Sequence, residues 1–259
     1  MRFKLTLEVN KTAFGNILPI NYQYEQSALI YRILGQANLE YSTWLHDNGF
    51  ELESGKRFKL FTFSRFKIEK RRILPEERLQ VLCNTVEWQI SFLPEKSTEK
   101  FIQGLFVNQV FEIGDKKSRV QFHVQNIEIL PNPIYKEKMC FNTMSPMCIS
   151  VRDGSRTKDY LSLADPKAKG AILNGLMHRY QAVYGKSYVG NLNFDIILLN
   201  EPKPVLIKIK ADTKEQTKVK GYMCKFEVQA PVELMKIGYE SGWGEEGSVG
   251  FGCLEEMEK

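Results

Sequence analysis

Proton exchange near neutral pH is the chemistry that the three histidines of this chain could perform. His46 lies in a short predicted helix in which Tyr41, Trp44 and Leu45 fall within one arc. At 100° per residue His46 points the opposite way, so we do not expect a packed core histidine. An unperturbed imidazole titrates near neutrality, which suits a general acid or base. His46 is therefore the first catalytic candidate, and a solvated histidine at a helix end is the alternative.

The other two histidines have no neighbour of obvious chemical use. His123 lies in the alternating segment RVQFHVQ and is predicted to lie on the exposed face of a strand. His178 faces away from the apolar stripe of its predicted helix. We therefore predict that both side chains are solvated.

A tyrosine and a basic segment could act together with His46. Tyr31 shares a helical stripe with Tyr24 and Ala28, which is also the ordinary setting of a half-buried packing tyrosine. Basic residues flank an aromatic segment further along the chain, which indicates either phosphate contacts with stackable rings or a solvated basic hairpin. The basic residues are Lys56, Arg57, Lys59, Lys67, Lys70, Arg71 and Arg72, and the rings are Phe61, Phe63 and Phe66.

Glycines are concentrated near the C terminus, in GYESGWGEEGSVGFG, where Gly242, Gly244 and Gly247 spell G-x-G-x-x-G. In dinucleotide-binding proteins this motif follows a strand and opens a helix. Here a predicted helix precedes it and a strand follows, and Glu245 and Glu246 would repel a pyrophosphate. A nucleotide cofactor is therefore not expected. A glycine-rich turn remains one interpretation, and backbone N–H groups packed closely against a ligand are the other.

The elements that must position these residues begin with an alternating segment over 2–9, which predicts a strand with one buried face. The apolar phase slips between Phe63 and Phe66, which indicates a bulge or a sharp bend. The first half predicts, after that strand, a helix ending near Gly35, a helix from Leu39 to His46 with Asn38 as N-cap, strand character in KLFTFSRFKIEKRRIL, a strand over 87–93, a helix over 97–108 and a strand over 119–130.

The segment PNPIYKEK, residues 131–138, is the predicted linker, and the same order of elements follows it. The second half predicts a strand in MCISVR, a helix ending at Gly185, strands in FDIILL, PVLIKIK and GYMCKFEVQ, a helix in PVELMKIGYE and a strand in VGFGCLE. The predicted fold is α+β, with two tandem ferredoxin-like (RRM-like) domains over 1–130 and 139–259. Such sheets offer a platform to RNA, although the fold alone does not establish that use.

Composition limits the classes of protein and site. With 36 basic and 31 acidic residues, the net charge of +5 permits an anionic partner without requiring one. The five cysteines form no C-x-x-C pair, so neither a disulfide framework nor a zinc site is predicted. The start alternates charged and apolar residues, and no apolar run approaches the ~20 residues that a membrane span needs. We expect a cytoplasmic protein.

Six segments resemble the CRISPR repeat-processing endoribonucleases of the RAMP superfamily, the Cas six family. They are MRFKLTLE, QSALIYRIL, WLHDNG, KLFTFS, MSPMCISV and IGYESGWGEEGSVGFG, in the expected order over nearly the whole chain. The resemblance implies two tandem ferredoxin-like domains, the first carrying the catalytic residues. It also implies a prokaryotic endoribonuclease that cleaves CRISPR precursor RNA within repeats to give crRNA. That cleavage is metal-independent: a 2′-hydroxyl attacks the adjacent phosphate and leaves a 2′,3′-cyclic phosphate and a 5′-hydroxyl.

By the same resemblance, His46 matches the catalytic histidine, Tyr31 the tyrosine that accompanies it, and Lys59 the lysine that helps hold the phosphate. The segment between His46 and Lys59 looks longer than in the best-known form of the family, so Lys56 or Arg57 is the alternative to Lys59. We expect RNA contacts from Gly242, Gly244, Gly247, Ser248, Gly250, Gly252, Lys56, Arg57, Lys67 and Arg71. We further expect Glu245 and Glu246 to point away from the RNA.

The expected partner is CRISPR repeat RNA, as precursor crRNA, with other CRISPR effector-complex subunits as further candidates. No cofactor, metal or membrane is expected, and the protein would be a monomer or a homodimer. The alternative function is a noncatalytic RNA-binding RAMP subunit of a CRISPR ribonucleoprotein complex. His46 discriminates between the two functions, because a pure binder has no need of an exposed titratable group there.

Overall fold

The computed structural model describes residues 1–152, 154, 158–211 and 213–257. The elements of the N-terminal half are β1 (Arg2–Asn10), β2 (Ile17–Pro19), α1 (Gln23–Ala37), α2 (Leu39–Asp47), β3 (Phe50–Glu51), β4 (Arg57–Phe58), β5 (Phe61–Phe63), β6 (Arg71–Leu74), β7 (Arg78–Val81), β8 (Thr85–Phe92), α3 (Glu95–Val107), β9 (Val110–Gly114) and β10 (Arg119–Leu130). Those of the C-terminal half are β11 (Lys138–Thr143), β12 (Ser150–Val151), β13 (Asp159–Tyr160), α4 (Pro166–Tyr184), β14 (Asp195–Leu198), β15 (Lys203–Ile209), β16 (Thr217–Met223), β17 (Lys225–Gln229), α5 (Val232–Ser241), the 3-10 turn η1 (Gly247–Val249) and β18 (Leu254–Glu256).

Each half is built around one antiparallel sheet. The N-terminal sheet has the order β5-β8-β1-β10-β9, and the C-terminal sheet has the order β14-β17-β11-β18. Apart from the edge strand β9, both place the second, third, first and fourth strands of a β-α-β-β-α-β unit side by side. The predicted α+β class with tandem ferredoxin-like folds is confirmed.

The N-terminal core explains where the aromatic segment lies. In β1 the apolar residues Phe3, Leu5 and Leu7 are fully buried, as the alternating pattern predicts. Phe61, Phe63 and Phe66 belong to the same core cluster, with the exposed fraction of each at 4% or less. The interpretation of these rings as surfaces for stacking RNA bases is therefore wrong, because they are committed to the hydrophobic core.

Helix boundaries depend on Asn38 more than on glycine. The first helix continues past Gly35 to Ala37, and the N–H of Asn38 donates to the Leu34 carbonyl at 2.9 Å. The Asn38 side chain then accepts from the Tyr41 N–H at 2.7 Å, which confirms the predicted N-cap of α2. One residue therefore ends α1 and begins α2, and it fixes the turn between them.

The C-terminal half differs from prediction in three strands. Its first sheet strand is β11, whereas the predicted MCISVR segment contributes only Ser150 and Val151 to a two-stranded ribbon. Residues 139–141 of β11 are buried on both faces, so the period-2 signal is absent there. GYMCKFEVQ is interrupted at Cys224, with β16 pairing β15 and β17 entering the sheet. Of VGFGCLE only the last two residues are extended, and they begin β18. Residues 258 and 259 of the predicted second domain lie outside the described residues.

The glycine-rich segment joins the two halves. Thr62 Oγ1 donates to the Phe251 carbonyl at 2.8 Å, and Ser27 Oγ donates to the Ser248 carbonyl at 2.7 Å. Arg2, almost fully buried, donates to the carbonyls of Tyr239 and Leu254. The backbone around this segment is thus anchored to α1 and to the N-terminal sheet. In the part of the chain that the structure describes, no helix is both long and apolar enough to cross a membrane.

Candidate active site

The packing of α1 against α2 brings Tyr31 and His46 together. Their ring centroids are 5.0 Å apart and the rings meet edge to face, at an interplanar angle of 82°. Ser42 of α2 donates to the Tyr31 carbonyl at 2.7 Å, which fixes the crossing of the two helices. Behind the pair, the Tyr31 ring packs 5.6 Å from the buried Phe61 ring. The two sequence candidates on separate helices are therefore neighbours.

The His46 ring has one nitrogen available to a substrate. Its side chain is 65% exposed, which confirms the prediction from the helical pattern. Its Nδ1 lies 2.8 Å from the Asp47 carboxylate, so that nitrogen is engaged in a hydrogen bond and Nε2 is the ring nitrogen left for a substrate. An imidazole held in this way can accept or donate a proton at Nε2.

Lys59 joins this pair from the strand side. Its Nζ donates to the His46 carbonyl at 2.6 Å, and burial lowers the pKa of Lys59, with the neighbouring Arg57 adding to that effect. The chain is held close here: a Cβ on Gly49, just after α2, would lie 2.6 Å from the Phe58 carbonyl and 3.0 Å from Lys59 Cδ. Gly49 therefore allows the backbone approach that places Lys59 against His46.

The two alternatives to Lys59 lie elsewhere. Arg57 pairs with Glu51 at 3.3 Å and donates to the Asp47 carbonyl at 3.1 Å. The Lys56 ammonium lies 3.5 Å from Nδ1 of His178 on α4. Of the three basic residues considered from the sequence, Lys59 is the one whose side chain contacts His46.

The environment of Tyr31 favours the neutral phenol. Burial raises the pKa of its phenol well above the ordinary value of 10.0, and a hydrogen bond with Ser248 offsets part of that rise. The hydroxyl therefore stays protonated at neutral pH. Ser248 belongs to η1, so the glycine-rich segment reaches the Tyr31 hydroxyl directly.

A cleft of about 410 Å³ lies between the two halves beside this cluster. One wall carries basic side chains of 56–59, and the other is formed by α4 and the glycine-rich segment. The lining residues are Lys56, Arg57, Phe58, Lys59, Leu60, Phe61, Ile149, Lys158, Ala171, Ile172, Gly175, Arg179, Ser241, Gly244, Glu245, Glu246, Gly247 and Ser248.

Part of the glycine-rich segment is turned into the protein, which corrects the expectation of RNA contacts from the N–H groups of Gly242, Gly250 and Gly252, whereas Gly244, Gly247 and Ser248 line the cleft. Gly242, Gly250 and Gly252 are buried, and their N–H groups donate to the carbonyls of residues 238, 247 and 146 at 2.9–3.0 Å. Gly244 has a φ of +81°, and a Cβ there would lie 2.2 Å from the Cys148 carbonyl. A Cβ on Gly247 would lie 2.8 Å from the Phe61 carbonyl. Both central glycines are therefore required for close backbone packing.

The remaining charged residues divide between the cleft and other surfaces. Glu245 and Glu246 line the cleft, and Lys158 pairs with them at 3.3 and 3.4 Å; that they point away from bound RNA stays a prediction. Lys67 pairs with Glu87 at 3.1 Å on the N-terminal sheet. The exposed Arg71 lies on β6, and neither it nor Lys67 lines the cleft.

The basic groups on the α4 wall were missed by the sequence analysis. His178 was predicted to be solvated, yet it is half-buried against Lys56, and both burial and that ammonium lower the pKa of the imidazole. Arg179 lines the cleft with 6% of its surface exposed. No local pattern could reveal either role, because the contacts come from residues more than 60 positions away.

Comparison with known proteins identifies the family. The model described as "CRISPR-associated protein Cas6, N-terminal" matches residues 17–128, and "CRISPR associated protein Cas6, C-terminal" matches residues 130–256. The chain belongs to the Cas6 family. It is 29% identical to "CRISPR-associated endoribonuclease Cas6 1" of Methanocaldococcus jannaschii, over 100% of this chain and 93% of that protein. It is 26% identical to "CRISPR-associated endoribonuclease Cas6" of Pyrococcus furiosus, over 98% of this chain and 89% of that protein.

The fold agrees with solved Cas6-related structures. A structure described as "Characterization of a Cas6-related gene from Pyrococcus furiosus" superposes with a TM-score of 0.84 and 25% identity, covering 100% of this chain and 99% of that one. The superposition extends over both halves, so the Cas6 relationship includes the tandem arrangement of the two sheets.

Proposed function

We propose that this protein is a metal-independent endoribonuclease that cleaves CRISPR precursor RNA within its repeats to give crRNA. The observation that carries the proposal is the cluster of Tyr31, His46 and Lys59 at the margin of a cleft between the halves. The two relatives named above are both called CRISPR-associated endoribonucleases. A cluster that combines an imidazole, a phenol and an ammonium can cleave RNA without a bound metal ion.

Each member of the cluster supplies one requirement of the reaction. His46 Nε2 takes the proton of the 2′-hydroxyl, whose oxygen attacks the adjacent phosphorus. The P–O5′ bond then breaks, and the protonated Tyr31 hydroxyl donates to the departing 5′-oxygen. The Lys59 ammonium stabilises the extra negative charge on the phosphorane. The products are a 2′,3′-cyclic phosphate and a 5′-hydroxyl, and proton return from His46 to Tyr31 restores the enzyme.

The division of labour follows the two halves. Residues 1–130 carry the catalytic cluster, residues 131–137 connect the halves, and the region from β11 onward supplies the opposite wall of the cleft. Within the glycine-rich segment, Ser248 has a direct role because its hydrogen bond orients the Tyr31 hydroxyl. The buried glycines act by holding this turn in place. RNA binding then depends on Lys56, Arg57 and Lys59, which line the cleft.

The test uses the CRISPR repeat encoded beside the gene and a second copy with a single 2′-deoxy substitution at the cleavage position. We expect the first RNA to be cut at one position, with a cyclic phosphate on the 5′ product, and the second to bind equally well and remain intact. A protein that binds both RNAs and cuts neither would be the noncatalytic RAMP subunit instead. Cleavage of the 2′-deoxy RNA at the same position would refute the 2′-hydroxyl mechanism.

A further inference from the structure

A second group of nitrogen-bearing side chains lies where the 56–59 wall approaches α4, apart from the catalytic cluster. It consists of Lys56 from the N-terminal half and His178 and Arg179 from α4. Lys56 Nζ lies 3.5 Å from His178 Nδ1. Between the two halves, the Phe58 ring centroid lies 5.7 Å from Lys56 Nζ and 5.9 Å from Arg179 Cζ. Docking of the two halves therefore brings together groups that are 122 residues apart.

Arg179 has unsatisfied hydrogen-bonding capacity at the cleft. Its side chain is among the buried charged groups, with an exposed fraction of 6%, and Nη2 donates to the Gly244 carbonyl. Its Nη1 is buried and has no hydrogen-bond partner among the residues that the structure describes. Burial lowers the pKa of Arg179 to about 10, so the guanidinium is still charged at neutral pH. A buried cationic N–H without an acceptor is costly, and an acceptor that enters the cleft would satisfy it.

The carboxylates of the cleft are shared between Arg179 and a lysine: the charge of Glu245 acts on Arg179 and offsets part of the effect of burial on its pKa. Lys158 Nζ lies 3.3 Å from Glu245 and 3.4 Å from Glu246, so both carboxylates also pair with this lysine. Lys56 Nζ contacts His178, and Arg179 Nη2 donates to a backbone carbonyl, so neither cation is held by a carboxylate through these bonds. Two cations beside the same Phe58 ring, one of them with an unpartnered buried N–H, favour an anionic ligand.

We propose that Lys56, His178 and Arg179 form a second phosphate subsite, which holds an RNA phosphate neighbouring the scissile one. The identity of the ligand as RNA rests on the proposed function. Lys56 and Lys59 line the same cleft and are at most about 11 Å apart along the chain, so one strand of RNA can reach both. Arginine and lysine donors bind phosphate oxygens through charge-assisted hydrogen bonds. His178 contacts Lys56 and orients its ammonium toward the cleft.

The test measures dissociation constants for repeat RNA made uncleavable by a 2′-deoxy substitution, with wild-type protein, Lys56→Ala, His178→Ala and the double variant. Lys169→Ala is the matched control, because it removes an exposed lysine of α4 that pairs with Asp195 away from the cleft. The same RNA is also prepared with single methylphosphonate linkages at successive positions around the cleavage site. All the substituted side chains are at least partly exposed, so folding is preserved and is checked by thermal unfolding.

We expect Lys56→Ala and His178→Ala each to weaken binding about three- to tenfold, and the double variant to lose less than the product of the two effects. One methylphosphonate position should weaken wild-type binding but have no effect on the double variant. Affinities within twofold of wild type, or identical methylphosphonate profiles for wild-type and double-variant proteins, would overturn the subsite. Wild-type protein that shows the expected profile but never cuts cleavable RNA would instead refute the proposed function and leave the subsite intact.

Discussion

Replacement of Gly244 by alanine tests whether the glycine-rich segment is a structural element or an RNA-binding loop. A left-handed φ of +81° costs a residue with a Cβ about 1–2 kcal/mol. The Cβ would also lie 2.2 Å from the Cys148 carbonyl, and overpacking of this kind typically costs about 1–3 kcal/mol. Together these effects amount to about 2–5 kcal/mol of unfolding free energy. For a chain of this size, such a loss lowers the melting temperature by on the order of 10 °C.

The control for this substitution is Gly170→Ala. Gly170 lies in α4, and a Cβ there would meet no atom within 4 Å, so alanine should raise helix stability slightly, by about 0.5–1 kcal/mol. Thermal unfolding followed by circular dichroism gives the melting temperatures, and titration with uncleavable repeat RNA gives the affinities. The reasoning is refuted if Gly244→Ala melts within two degrees or so of wild type while its RNA affinity falls more than about tenfold.

Three further substitutions test separate contacts. Gly49→Ala should push Phe58 and Lys59 away from α2 and so misplace the Lys59 ammonium. We expect the single-turnover cleavage rate to fall roughly tenfold to a hundredfold with little change in RNA affinity. An unchanged rate would contradict the positioning role of Gly49. Ser248→Ala removes the hydrogen bond to Tyr31 and should slow cleavage about three- to tenfold at constant melting temperature, whereas a full rate would show that the bond is dispensable. Burial raises the pKa of Glu25 from its ordinary 4.5 to about 7, so the folded chain holds this proton more tightly than the unfolded chain. This contribution to stability is complete below about pH 4.5 and is lost as the pH rises through 7. Glu25→Gln should therefore stabilise the protein at pH 8 by up to about 3 kcal/mol and have little effect at pH 4. Melting curves that show the same effect at both pH values would contradict this.

Local periodicity was enough to predict several parts of the fold and site. The alternation of β1 and the helical arc around His46 depend on neighbours within a few residues, and the structure has both. The N-cap at Asn38 depends on a side chain and an N–H three residues apart, and it too is present. These features are set by the backbone geometry of single elements.

Features that arise from packing between elements could not be predicted in the same way. Phe61 and Phe63 lie next to basic residues along the chain, but the sheet buries their rings. Glycine is also typical of phosphate-binding loops, so the residue type of Gly244 does not reveal its role. Its close approach to the Cys148 carbonyl, which shows that the backbone is packed inward, is visible only in the structure. The contact between Lys56 and His178 requires two halves to dock. No periodicity in one segment contains that information.

The central claim is that His46 performs proton transfer in RNA cleavage without a metal ion, and one measurement tests it most directly. Single-turnover cleavage of the cognate repeat is followed in excess EDTA for wild-type protein, His46→Ala and the control His123→Ala, whose histidine lies on the N-terminal sheet beside Glu8. The account predicts full activity for wild type and the control, and a loss of roughly two or more orders of magnitude for His46→Ala with binding retained. A rate abolished by EDTA, or an undiminished rate for His46→Ala, would contradict it.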